Sequence, residues 1–130
     1  MTSTRLTFWL GCLFGLIGLG FLFHGADPDK RLSPFLLGWA LWLLSPYALL
    51  AAAARFGRFP LVFKGALTLT ILAGLWGSWL YAELTFHFTT KPDAQDAIAM
   101  IFVPALQHMV IVPTLAFLFA LGVVLSRRKR

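Results

Sequence analysis

Four long apolar runs, broken only by short clusters of charge, leave this 130-residue chain few folds to choose from. They cover about 6–23, 33–54, 61–84 and 96–125, each long enough to cross a hydrocarbon core of roughly 30 Å. In hydrocarbon every backbone N–H and C=O has to find its partner within the protein, so spans of this length predict helices. Charged residues make up 12% of the chain, against about a quarter in an ordinary soluble domain. The expected fold is therefore all-α: one integral membrane domain over 1–130, built as a four-helix transmembrane bundle.

Punctuation in the sequence fits that division. The exit of the first run, Phe23-His24-Gly25-Ala26-Asp27, offers no small-x-small cleavage site. Too few apolar residues precede Cys12 for a lipoprotein signal, so the run is expected to stay as an uncleaved membrane helix. As the only cysteine, Cys12 excludes a disulfide within the chain. Ser33 is the expected N-cap of the second helix, with Pro34 in its first turn and Pro46 as an internal kink. Gly57 is expected to stop that helix in a left-handed conformation. Trp76, Trp79 and Tyr81 crowd one end of the third run as an interfacial aromatic belt would. Pro92 and Asp93 open a fourth helix longer than the bilayer core, which must tilt, bend at Pro104 or Pro113, or project.

The net charge of +6 is placed for membrane surfaces and not for nucleic acid. Arg127, Arg128, Lys129 and Arg130 follow directly on the last apolar run, where basic side chains meet anionic headgroups. Arg5, Arg55, Arg58, Lys64 and those four fall on one side of the membrane, and Lys30, Arg31 and Lys91 on the other. Eight basic residues against three predict a multi-pass protein with both termini in the cytoplasm.

Two rows of small residues mark packing faces. Gly11, Gly15 and Gly18 share a face of the first helix; Ala66, Thr70, Gly74 and Ser78 form a ladder on the third. In lipid, helices associate through close packing, and such rows let backbones approach. The two faces suit one another within a single bundle; the alternative use is self-association.

Polar residues inside the apolar runs are costly and each needs a reason. Apart from Asp96 at the very start of the fourth, Glu83 is the only acid in those runs, and Gln107 and His108 are adjacent on the fourth. Counted from the cytoplasmic ends at helical rise, Glu83 lies about 31 Å, His108 about 26 Å and His24 about 27 Å along their helices. Glu83, His87, His108 and His24 are therefore expected to gather near one rim of the bundle. A divalent metal is the cofactor such a set would suit, and haem the least suited. A Glu83–His108 pair would also serve as a proton relay. The structural alternative is a Glu83–His108 hydrogen bond that only fixes packing, with His24 and His87 in water and no cofactor at all.

No nucleophile with an oriented base, phosphate-binding loop or cofactor fingerprint is present, so no catalytic residue is expected. Small multidrug-resistance transporters carry an acid in their first helix, which this chain lacks. Asp93-Ala94-Gln95-Asp96-Ala97 followed by Phe102-Val103-Pro104-Ala105-Leu106-Gln107 resembles the last helix of certain small four-helix bacterial inner-membrane proteins of unknown function. That resemblance covers the final third of the chain and implies fold and location only. The expected role is an accessory or interaction subunit that meets a membrane-protein partner, or a second copy, within the lipid bilayer. The alternatives are a small ion- or proton-coupled transporter or channel, a metal-binding membrane protein using Glu83 and His108, and an immunity protein against a pore-forming toxin.

Overall fold

The computed structural model describes residues 2–24, 28–30, 33–89, 91 and 95–128. The features expected at 25–27, 31–32 and 92–94, and the terminal Lys129 and Arg130, lie outside them. The described residues form four α-helices, α1 (Ser3–His24), α2 (Pro34–Phe56), α3 (Pro60–Phe86) and α4 (Asp96–Arg127), with a 3₁₀ turn at Pro28–Lys30 between the first two. Each of the four is long and apolar enough to cross a bilayer. At 32 residues α4 is about 48 Å long, well beyond the hydrocarbon core.

The ends follow the local chemistry in most places. Ser33 caps α2, its hydroxyl accepting from the Leu36 N–H at 3.2 Å, with Pro34 in the first turn. Gly57 ends α2 with an extended backbone (φ −61°), not the left-handed one expected. Glycine is needed there for room, because a Cβ would stand 2.5 Å from the Ala53 carbonyl oxygen and 2.9 Å from Val62. The left-handed residue is instead His87 (φ 53°), which ends α3 with its N–H on the Glu83 carbonyl at 2.8 Å.

In cross-section α2 and α3 pack on each other and both touch the two outer helices, so α1 and α4 sit at opposite corners. The glycine face of α1 lies against α2 and not against the small-residue ladder of α3. A Cβ on Gly15 would stand 2.7 Å from Leu44, and one on Gly18 2.8 Å from Leu43. The ladder of α3 receives Phe14 of α1, whose ring fills the space a side chain at Gly74 would need. Between the helices lie two apolar layers. Leu50, Ala54, Ala66, Leu69 and Ile111 form the one toward the α2–α3 loop. Leu22, Leu43, Tyr81 and Val103 form the other, toward the far end. Tyr81 is therefore a core residue, only 3% exposed, while Trp76 and Trp79 do face outward as a belt would.

Candidate functional site

Polar side chains meet in three places, and the helix register decides which. Gly65 of α3 sits under Leu118 of α4, Gly77 under Gln107, and Phe59 packs into Gly122. That antiparallel register sets Gln107 at mid-span. Its amide Nε2 donates to the Ala73 carbonyl at 2.9 Å and, more weakly, to the Tyr47 hydroxyl at 3.3 Å. Three helices are thereby joined through one side chain that is 2% exposed. The approach is possible because residue 77 is glycine: a Cβ there would lie 2.5 Å from the amide nitrogen. Tyr47 stacks in turn on Phe14, 6.4 Å between ring centres, which brings α1 into the same layer. Gln107 Oε1, Tyr81 OH and Ser78 Oγ are buried without a hydrogen-bond partner among the described residues.

The second place is around Pro46, inside α2. Pro46 has no N–H to give the Trp42 carbonyl, and the Ser45 hydroxyl replaces it, donating to that oxygen at 2.6 Å. The Trp42 indole N–H crosses to the Ile101 carbonyl of α4 at 3.0 Å. His108 lies flat on the indole, 5.1 Å between centres and 6° between planes. Its Nδ1 is 2.8 Å from the Pro104 carbonyl, which can only accept, so this nitrogen carries the proton. Its Nε2 stands 3.4 Å from Ser45 Oγ.

The third is the rim where α3 ends and α4 begins. Glu83 Oε1 accepts from both the N–H and the hydroxyl of Thr89, each at 2.9 Å, folding the chain back over the helix end. Just beyond, His87 Nε2 is 3.6 Å from an Asp96 carboxylate oxygen. His24 reaches the same end from α1, its ring 6.0 Å from that of Phe86. Glu83, Lys91 and Asp96 line the mouth of a cleft of about 580 Å³ between α3 and α4, whose remaining walls are Leu80, Leu84, Ala99, Phe102, Val103 and Leu106.

The expected gathering of Glu83, His87, His108 and His24 thus divides. Glu83, His87 and His24 do share one end of the bundle. His108 does not join them: its neighbour Gln107 bonds to Ala73, ten residues or about 15 Å before Glu83 along α3. Counting residues from nominal helix ends gives depth but not direction, and successive residues point about 100° apart. Gln107 faces α3, and His108 turns to α2. Among the described residues no three His, Cys, Asp or Glu side chains come together as a metal site. Tyr47, Ser45, Trp42 and Asp96 enter these clusters unforeseen. Of the four, only Ser45 carried a sequence signal, standing immediately before a helical proline. Set against known protein families, curated proteins and solved structures, the chain matches none.

Proposed function

We propose that the protein is a non-enzymatic accessory subunit that acts by lateral contact inside the membrane, and that α4 is the helix that meets an apolar transmembrane helix of its partner. One observation carries this reading. Only 11% of the most apolar stretch of α4 is buried, against 33% in α1 and α3, and Phe102, Met109, Val110 and Phe117 all project outward from it. Beside them a notch of about 270 Å³ opens between α3 and α4, lined by Leu69, Leu72, Ala73, Trp76, Val110 and Ile111. Association in lipid depends on van der Waals fit, and a notch at mid-span accepts a partner's side chain better than a mobile acyl chain does. Packed layers above and below Gln107 support lateral contact over conduction, since a solute path would have to pass both.

Photo-crosslinking from positions 102, 109 and 117, in membranes of the host, is the test. Discrete adducts of protein mass at these positions, absent from positions 13 and 16 of α1, support the reading. A homodimer mass would make the partner a second copy. Lipid adducts alone at every position would sink it. The same reading sets the protein in a bacterial cytoplasmic membrane with both termini inside, and reporter fusions at each terminus and at residue 29 check that orientation.

A further inference from the structure

We propose that the cleft between the start of α3 and the end of α4 binds one anionic phospholipid whose headgroup carries no cation, of the phosphatidylglycerol class. The basic ends of the helices come together at this end of the bundle. Thr4 of α1 donates to the Ala54 carbonyl of α2 at 3.0 Å, and Phe59, the N-cap of α3, packs into Gly122 of α4. The segments that meet here, 1–23, 50–75 and 110–130, contain no acid. Between α3 and α4 lies a cleft of about 360 Å³, lined by Phe59, Pro60, Leu61, Gly122, Leu125 and Ser126. Pro60 and Leu125 are exposed, so the cleft opens sideways toward acyl chains. From Gly122 to Arg128 α4 rises about 9 Å, a wall for the upper part of one acyl chain.

Three cations flank the cleft. Arg58 directly precedes Phe59 in the chain. Lys64 stands four residues after Pro60, and Arg128 three after Leu125, spacings that share a helix face. Arg128 still has helical backbone as the C-cap of α4, and the stem of Lys64 can run back along apolar surface to the headgroup level. All three are exposed, and none has an ion pair among the described residues. No side chain caps α3 and its first turn holds no acid, so the positive end of its dipole adds to the same field. The Ser126 hydroxyl is committed to the Val123 carbonyl at 2.8 Å, which leaves the phosphate to the cations. Guanidinium and ammonium groups donate charge-assisted hydrogen bonds to phosphate oxygens. The cation of an ethanolamine or choline headgroup would sit among like charges with no carboxylate to pair with, whereas a glycerol headgroup brings none. The apolar wall favours the intact lipid over a soluble phosphate.

Native mass spectrometry of the detergent-purified protein, given equal amounts of phosphatidylglycerol, phosphatidylethanolamine and phosphatidylcholine with identical chains, tests this. One phosphatidylglycerol should be retained per chain, enriched at least about fivefold over each of the others, the ratio expected of one basic side chain near a membrane surface. Arg58→Gln and Lys64→Gln, both at exposed positions, should each lower that enrichment several-fold. Arg5→Gln removes the same charge from α1, at the opposite corner from α4, and should leave it unchanged. Leu125→Trp, which fills the cleft without touching a charge, should weaken retention of all three lipids. Equal retention of the three by the unaltered protein overturns the proposal. So does an equal loss in Arg5→Gln, which would make the preference a property of the whole basic end and not of the cleft. Undiminished enrichment in Arg58→Gln and Lys64→Gln, or displacement of the lipid by millimolar inorganic phosphate, overturns it too.

Discussion

Gly77→Ala is the sharpest perturbation the structure offers, because it adds one methyl group at the point where three helices are pinned. That methyl would lie 2.5 Å from Gln107 Nε2 and 3.4 Å from the Tyr47 hydroxyl. Both helix backbones are fixed by packing along their lengths, so the amide must swing away and its bonds to Ala73 and Tyr47 break. An interhelical hydrogen bond in a membrane averages about 0.6 kcal/mol and reaches about 1.7. A buried amide left without partners costs about 1–3 kcal/mol more. Against this, alanine is preferred to glycine inside a helix by about 1 kcal/mol. The balance is a loss of about 1–4 kcal/mol, readable as a shift in reversible unfolding in mixed micelles.

The decisive comparison is the double variant. With Gln107→Ala the collision and the broken bonds are already gone, and Gly77→Ala should then be neutral or stabilising by up to about 1 kcal/mol. A coupling of about 1–3 kcal/mol between the two sites is expected, as for residues in direct contact. If Gly77→Ala costs the same in both backgrounds, the Gln107 pin is wrong.

Three further outcomes use the same unfolding assay. Ser45→Ala should destabilise by about 1 kcal/mol by leaving the Trp42 carbonyl without a donor, and adding Pro46→Ala should reverse this, since residue 46 then supplies its own N–H. Gly74→Ala drives a Cβ into the Phe14 ring and should cost about 1–3 kcal/mol, with Phe14→Leu in the same chain recovering part of it. His87→Val should lose about 1–2 kcal/mol, because a β-branched residue resists φ 53°, while His87→Gly stays close to the parent despite losing the Asp96 contact.

The division into four helices could be read from sequence because its cause is local. Each apolar run has to satisfy its own backbone in lipid, and Ser33, Pro34 and Pro60 mark helix starts by chemistry that acts within a turn. The rotation of each helix about its axis is a different matter. α4 is apolar on nearly every side, so no periodicity tells which face meets α3, and the interior place expected for His108 is taken by its neighbour Gln107. The choice depends on Gly77, thirty residues away, being small enough to admit an amide. His87 shows the converse: it supplies the left-handed stop usually given by glycine, so the signal that failed at Gly57 was absent where the turn occurs.

That lack of periodicity also gives Gln107 a reason to exist. For a helix apolar all round, a shift of one turn exchanges one set of packing contacts for a similar set, and lipid does not penalise the exposed face. Gln107 removes the degeneracy, because only one register sets its amide over the glycine at 77 and beside the Ala73 carbonyl. A shift of one turn takes the amide away from both that glycine and that carbonyl. The unpartnered Oε1 shows that the device is not optimised for stability, which agrees with a role in specifying register. Gln107→Leu is then expected to change stability by less than about 1 kcal/mol while broadening the α3–α4 alignment. Disulfide trapping between cysteines at 65 and 118, compared with pairs offset by one turn, reads that directly: one dominant crosslink in the parent chain, several in the variant. A single crosslink in both would mean that shape alone holds the helices in register.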